Sequence, residues 1–280
     1  MIKLKTQIAG SNNLPISLDI SFEKNGVKKP IVIFCHGFKG FKDWGAWHLV
    51  AQEFAQKGII FIKFNFSHNG TTPENLTDFE NLEAFSKNNY SKEISDLDFV
   101  LNYVFDKKFP VSETEIDFEK INLIGHSRGG GAVLVKTFED EKISKTATWA
   151  SIDSYDRFGT VAQIKDWEKK GEHIFVNGRT GQKMPIKYQF YEDFEQNKER
   201  LDIKNIVSKI EKPILVVHGT EDPAVHFECA QNLNSWAKSA KLLAVENANH
   251  VFGASHPFIG DKLPKDLQKV VEETISFFKN

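Results

Sequence analysis

The run Ile121-Asn122-Leu123-Ile124-Gly125-His126-Ser127-Arg128-Gly129-Gly130-Gly131 sets a serine between glycines two residues before and two residues after it, where an apolar stretch gives way to a helical pattern. A nucleophile carried on a sharp strand-to-helix turn needs such neighbours, because larger side chains would collide across the turn. The turn lifts the Ser127 hydroxyl above the sheet and aims the unpaired N–H groups of the helix start at the reacting centre. Gly-x-Ser-x-Gly alone is weak, arising by composition in roughly one chain of this size in ten. Its position between a buried strand and a helix is what gives it weight.

A serine hydroxyl attacks only when a neighbouring base takes its proton, and nine histidines compete for that role. His36 and His218 each close an apolar run just before a glycine, where structural hydrogen bonding is the simpler role, and His126 belongs to the turn itself, pointing away from the nucleophile. His250, in Glu246-Asn247-Ala248-Asn249-His250, follows the last apolar run on a polar loop and is the preferred base, with His256 before Pro257 as its rival. The base needs a carboxylate to hold its tautomer. Asp222, in His218-Gly219-Thr220-Glu221-Asp222-Pro223, lies between Ser127 and His250 in the chain and takes this place; Glu221 faces elsewhere and Asp153 is the alternative. Two N–H donors must hold the oxyanion of a tetrahedral intermediate, and the backbones of Arg128 and Phe38, the latter in His36-Gly37-Phe38-Lys39-Gly40, are the expected pair. The Arg128 side chain is expected to pair with a carboxylate.

Positioning these groups falls to short apolar runs at 31–35, 59–64, 121–124, 146–150, 214–217 and 242–245, alternating with helical patterns at 47–57, 91–105, 129–138, 227–238 and 264–278. That alternation predicts an α/β fold, a mostly parallel twisted sheet covered by helices on both faces, opened by an antiparallel hairpin over 2–22. Residues 151–209 break the rhythm, being too long for one crossover. They predict a cap inserted into a core formed by 1–150 and 210–280, with a small hairpin around Asn177-Gly178 and many aromatics. In such sheets ligands bind outside the strand ends. Trp167 and Tyr188 of the cap and His68 of the loop after 59–64 are therefore the expected substrate-binding residues.

Composition narrows the function classes. Among 280 residues, 36 Lys and Arg against 38 Asp and Glu leave a formal net charge of −2 without a block of one sign, so nucleic acid and anionic membrane are not expected partners. Two cysteines cannot make a disulfide framework, and no apolar segment is long enough to span a bilayer. The start, 1–10, lacks the apolar core of a secretory signal, so a cytoplasmic protein is expected. No His-Glu-x-x-His or Cys-x-x-Cys spacing asks for a metal, and no cofactor is expected.

His36-Gly37-Phe38, Gly125 to Gly129, Asp222 and His250, in this order and these strand contexts, make the chain similar to an α/β-hydrolase over nearly its whole length. Its insert resembles that of the dienelactone-hydrolase-like and cinnamoyl (feruloyl) esterase group, while Phe64-Asn65-Phe66-Ser67-His68-Asn69-Gly70 replaces the group's usual acidic and arginine-containing turn. The resemblance implies a cofactor-independent serine esterase acting on small-molecule carboxylic esters through an acyl-enzyme, with an aromatic acyl preference. A peptidase or thioesterase on the same residues, or a binding protein with a vestigial site, are the alternatives. Oligomeric state is not legible.

Overall fold

The computed structural model describes residues 1–280. In chain order the elements are β1 (Ile2–Ala9), β2 (Pro15–Phe22), β3 (Lys29–Cys35), α1 (Trp47–Gln56), β4 (Ile60–Phe64), α2 (Leu82–Ser86), α3 (Tyr90–Val104), β5 (Ile116–His126), α4 (Arg128–Glu139), β6 (Ile143–Trp149), α5 (Val161–Lys170), β7 (Glu172–Val176), β8 (Lys183–Lys187), α6 (Gln189–Gln196), α7 (Ile203–Val207), β9 (Ile214–Gly219), α8 (Phe227–Trp236), β10 (Ala240–Val245) and α9 (Lys265–Lys279). Eight strands form one sheet in the order β1-β2-β4-β3-β5-β6-β9-β10. The β1–β2 hairpin pairs antiparallel with β4, and every pairing from β4 to β10 is parallel.

The central strands carry continuous buried apolar runs, such as Ile31 to Cys35 in β3 and Ile60 to Ile62 in β4, because helices cover both faces. Val32 and Phe34 of β3 pack with α1 and α9, whereas Ile31, Ile33 and Cys35 pack with α3. Helix α9 shows how one face is chosen: Leu267, Val270, Val271, Thr274, Ile275 and Phe278 recur at helical spacing and are buried. The Trp149 indole N–H donates to Thr274 Oγ1 at 3.1 Å, joining that helix to β6.

The segment between β6 and β9 carries α5, the separate two-stranded sheet β7–β8, α6 and α7. Thr160 and Gln163 close a reciprocal cap at the start of α5, and Gly171 ends that helix in the left-handed region. Trp167, Met184, Ile186, Phe190 and Phe194 share one buried cluster with Ala132, Leu134 and Val135 of α4 and Ile214 and Val216 of β9. The insert's core is therefore continuous with the core beneath it. Polar contacts moor it as well: Gln182 Nε2 donates to Phe79 O and Gln189 Nε2 to Asn88 O, both at 2.8 Å.

Two local expectations differ from the structure. Ala150, expected in a strand, has φ 49° and begins the bend that leaves β6. Tyr188, expected on the small hairpin, is the N-cap of α6, where its N–H donates to Gly171 O at 2.9 Å. Local propensity did not separate the end of β8 from the start of a helix that follows without a break.

Candidate active site

Ser127 stands between β5 and α4 with φ 56° and ψ −122°, a conformation costly for a side chain of L configuration. The neighbours enforce it. Its N–H donates to Trp149 O at 2.9 Å, and its carbonyl accepts from Gly130 N at 3.0 Å. A Cβ on Gly125 would lie 2.3 Å from Gly129 O, and one on Gly129 2.5 Å from Cys35 O, so backbone fills both spaces and neither can hold a side chain.

Beyond the end of β10, the His250 Nδ1–H donates to Asp222 Oδ2 at 2.6 Å, which leaves Nε2 as the acceptor nitrogen of that ring. Asp222 has no exposed side-chain surface, and its Oδ1 accepts from the N–H groups of Ala224 and Val225 at 2.8 and 2.9 Å. Burial pushes its carboxyl up, but hydrogen bonds from His218, His250 and Val225 N–H outweigh it and hold the carboxyl well below the usual range. His218 Nε2 lies 3.3 Å from the Oδ2 that holds His250, while donating to Val225 O at 2.8 Å. His126 Nε2–H donates to the His250 carbonyl at 2.9 Å, and the two rings are 4.8 Å apart. Burial, reinforced by His250, pushes His126 down to about 3.

Ser127 and His250 line the same cavity, without a hydrogen bond between Ser127 Oγ and the ring. In ligand-free hydrolytic sites this contact is commonly loose and tightens around substrate. The rival residues lie elsewhere. His256 Nδ1 accepts from Gly45 N–H at 3.0 Å, and Asp153 accepts from Asn232 at 2.8 Å.

The loop carrying Phe38 is pinned beside the nucleophile: a Cβ on Gly37 would lie 2.8 Å from Ser127 Cβ. His36 holds the loop's base, its Nδ1–H donating to Gly37 O at 2.9 Å and its Nε2 accepting from Phe66 N–H at 3.3 Å. Burial pushes His36 down to about 4. Farther along, the buried ammoniums of Lys42 and Lys63 meet Asp19 Oδ2 at 2.7 and 2.6 Å and also pair with Asp43. Although burial acts to raise the Asp43 carboxyl, the two lysines hold it low. The Arg128 guanidinium pairs with buried Glu93 and lies 4.2 Å from the Phe38 ring centroid.

Two cavities meet at Ser127, Phe38 and His250. The larger, about 560 Å³, runs under the insert and is walled by Phe38, Phe158, Trp167, Phe175, Ile186 and Phe190. The smaller, about 190 Å³, lies on the other side against Trp44, Trp47 and Asn177.

Of the expected substrate-binding residues, Trp167 lines the larger cavity, its indole N–H held by Ile186 O at 2.9 Å. Tyr188 does not. It sits behind Trp167, ring centroids 6.0 Å apart, because α6 begins there. His68 opens onto a separate cavity of about 360 Å³ beside Lys87 and Lys92. Its Nδ1–H donates to Ser67 Oγ, which donates on to buried Asp96, each at 2.7 Å, so this histidine braces a loop. Tyr90, Arg157 and His173 line the larger cavity without having been singled out from sequence. The aromatic density of the insert was the available signal, and it does not extend to Tyr90, which opens α3 far upstream. No group of three or more His, Cys, Asp or Glu side chains converges to hold a metal, and no helix is long and apolar enough to cross a membrane.

A parallel sheet with an antiparallel start, helices on both faces and a serine on a strained turn after the strand β5 define an α/β-hydrolase. The chain belongs to the BD-FAE family, whose model matches residues 18–237. No curated protein matches it. Among solved structures it is similar to ferulic acid-bound Est1E from Butyrivibrio proteoclasticus (18% identity, TM-score 0.68, covering 100% of this chain and 98% of that one). It is also similar to the alpha/beta hydrolase GrgF from Penicillium sp. sh18 (15%, TM-score 0.74, 100% and 98%) and to the esterase domain of a Rhodothermus marinus protein (18%, TM-score 0.66, 99% and 98%).

Proposed function

We propose that this protein is a serine esterase that cleaves small carboxylic esters through an acyl-enzyme. The observation that carries the reading is the His250–Asp222 pair facing the cavity onto which the strained Ser127 turn opens. Ser127 Oγ attacks the ester carbonyl while its proton passes to His250 Nε2, and ionised Asp222 stabilises the imidazolium. The oxyanion is held by Phe38 and Arg128 backbone N–H groups. Collapse expels the alkoxide, which takes the proton from His250. Water, deprotonated by the same nitrogen, then attacks the acyl-enzyme, and Ser127 leaves with that proton as the free acid departs.

The residues over 151–209 act as a cap in this reading, and their aromatics bind the aromatic part of the substrate. The walls of the larger cavity and the likeness to an esterase with ferulic acid bound support an aromatic, cinnamoyl-type acyl group. Labelling with a fluorophosphonate, with turnover of methyl ferulate and of nitrophenyl esters of graded chain length, tests this. Labelling that disappears in Ser127→Ala is expected. An unlabelled wild type that turns over no ester overturns the reading.

A further inference from the structure

The larger cavity has charged walls of one sign only. Among its 17 lining residues there is no aspartate or glutamate, and two are arginines. Arg128 is neutralised by Glu93. Arg157, on the stretch between β6 and α5, is different: no carboxylate lies within 4.0 Å of its guanidinium. Of the nearby acidic residues, Asp156 is exposed and Asp153 is engaged by Asn232 at 2.8 Å and by the Cys229 thiol, which also contacts Arg157. Gln163 lines the same wall, and its Oε1 is taken by Thr160 N–H at 2.8 Å, so only its amide N–H donors are left to offer. A wall of aromatics ending in a guanidinium without a carboxylate partner and an amide donor offers no carboxylate to a cation. It matches a planar group bearing an anion, which a guanidinium binds through two parallel hydrogen bonds.

We infer that the substrate of the proposed esterase carries a carboxylate on the part that enters the larger cavity, and that Arg157 is its specificity determinant. This rests on the esterase reading above, in which Ser127 and His250 line the same cavity. A neutral aromatic ester fills the apolar walls but leaves Arg157 to water; a carboxylate-bearing one satisfies both.

Matched pairs of esters test it. Methyl 4-carboxycinnamate against methyl 4-carbamoylcinnamate puts the charge on the acyl side, and the acetate esters of 4-hydroxybenzoate against 4-hydroxybenzamide put it on the alcohol side. For one pair, the wild type is expected to favour the acid over the amide by about 10-fold in kcat/KM, a preference that shrinks at high salt because Arg157 is exposed. The pair that shows it identifies which half of the ester occupies the cavity. Arg157→Gln brings the ratio to about one, and Arg157→Glu inverts it. The same preference is read without turnover by calorimetric binding of both cinnamates to Ser127→Ala. A wild type indifferent to charge in both pairs and in binding overturns the inference, as does a preference that survives Arg157→Gln. Loss of all ester turnover with the binding preference intact counts against the esterase reading instead.

Discussion

The two walls of the site are built by different physics. On the sheet side every functional group is held by directional bonds: Asp222 by Ala224 and Val225 N–H, His250 by Asp222, and the Phe38 loop by His36 and the Lys42–Lys63–Asp19–Asp43 cluster. On the insert side Phe158, Trp167 and Phe190 pack on one another, with ring centroids 5.9 to 6.3 Å apart, and Phe175 packs on Phe38 and His173; the Trp167 indole N–H to Ile186 O is the one directional bond among these rings. Hydrogen bonds tolerate little displacement, as chemistry at a single carbonyl requires, whereas packed aromatics can exchange size and shape. The sheet side should therefore fail abruptly on substitution and the insert side by degrees.

The largest effect is expected from Ser127→Ala or His250→Ala, each lowering kcat by about 10⁴-fold or more, since the two act as a unit. Unchanged melting temperature in Ser127→Ala would separate lost chemistry from lost folding; near wild-type turnover of a nitrophenyl ester in either variant breaks the assignment. Asp222→Asn should cost less than Ser127→Ala, because the amide contacts the ring but favours the wrong tautomer. Asp153→Asn serves as its control, and a larger loss there means that the acid has been misplaced.

Trp167→Leu should lower kcat/KM on bulky aromatic esters by about 10- to 100-fold and on an acetyl ester far less, because the small substrate does not reach that wall. Equal losses on both esters would show that the ring only holds the insert together. Acid sensitivity is expected to come from the sheet side. His36 and His126, pushed down to about 4 and about 3, stay neutral in the folded chain while the unfolded chain protonates near its ordinary value of about 6.5. The unfolded state thus binds more protons below that value, and stability falls with pH from about 6.5 towards 4, by on the order of 3 kcal/mol per histidine. Denaturant midpoints across that range measure it; a flat profile contradicts both shifts. The smallest effect is expected from Tyr188→Ala, within about threefold on aromatic and acetyl esters alike, since its ring stands outside the cavity. A selective loss on aromatic esters would bring Tyr188 back into the binding wall.

Much is legible in the sequence because the signals are local. The strand-to-helix serine turn is a contiguous pattern whose glycines answer to backbone contacts, and the apolar strands and amphipathic helices announce themselves by period. The small hairpin expected around Asn177-Gly178 is equally readable from its turn residues, and the strands paired over 172–176 and 183–187 are there. Less local features are not decided by such signals. Tyr188 and Trp167 look alike in sequence as aromatics of one insert, but only one faces the cavity. His68, a histidine on a loop after a strand, has the same local setting as His250, yet its partners are Ser67 and Asp96.

What the sequence by itself determined is the order and type of the elements and the residues chemically able to attack, shuttle a proton and stabilise charge, because these depend on side-chain chemistry and on periodicity within a dozen residues. Only the tertiary structure decided which of these meet: that His218 shares the carboxylate of Asp222, that Glu93 neutralises Arg128, and that Arg157 and Tyr90 arrive at one cavity from segments far apart in the chain. Those juxtapositions follow from how sheet, helices and insert pack, which is a property of the whole buried core and is not encoded at any one position.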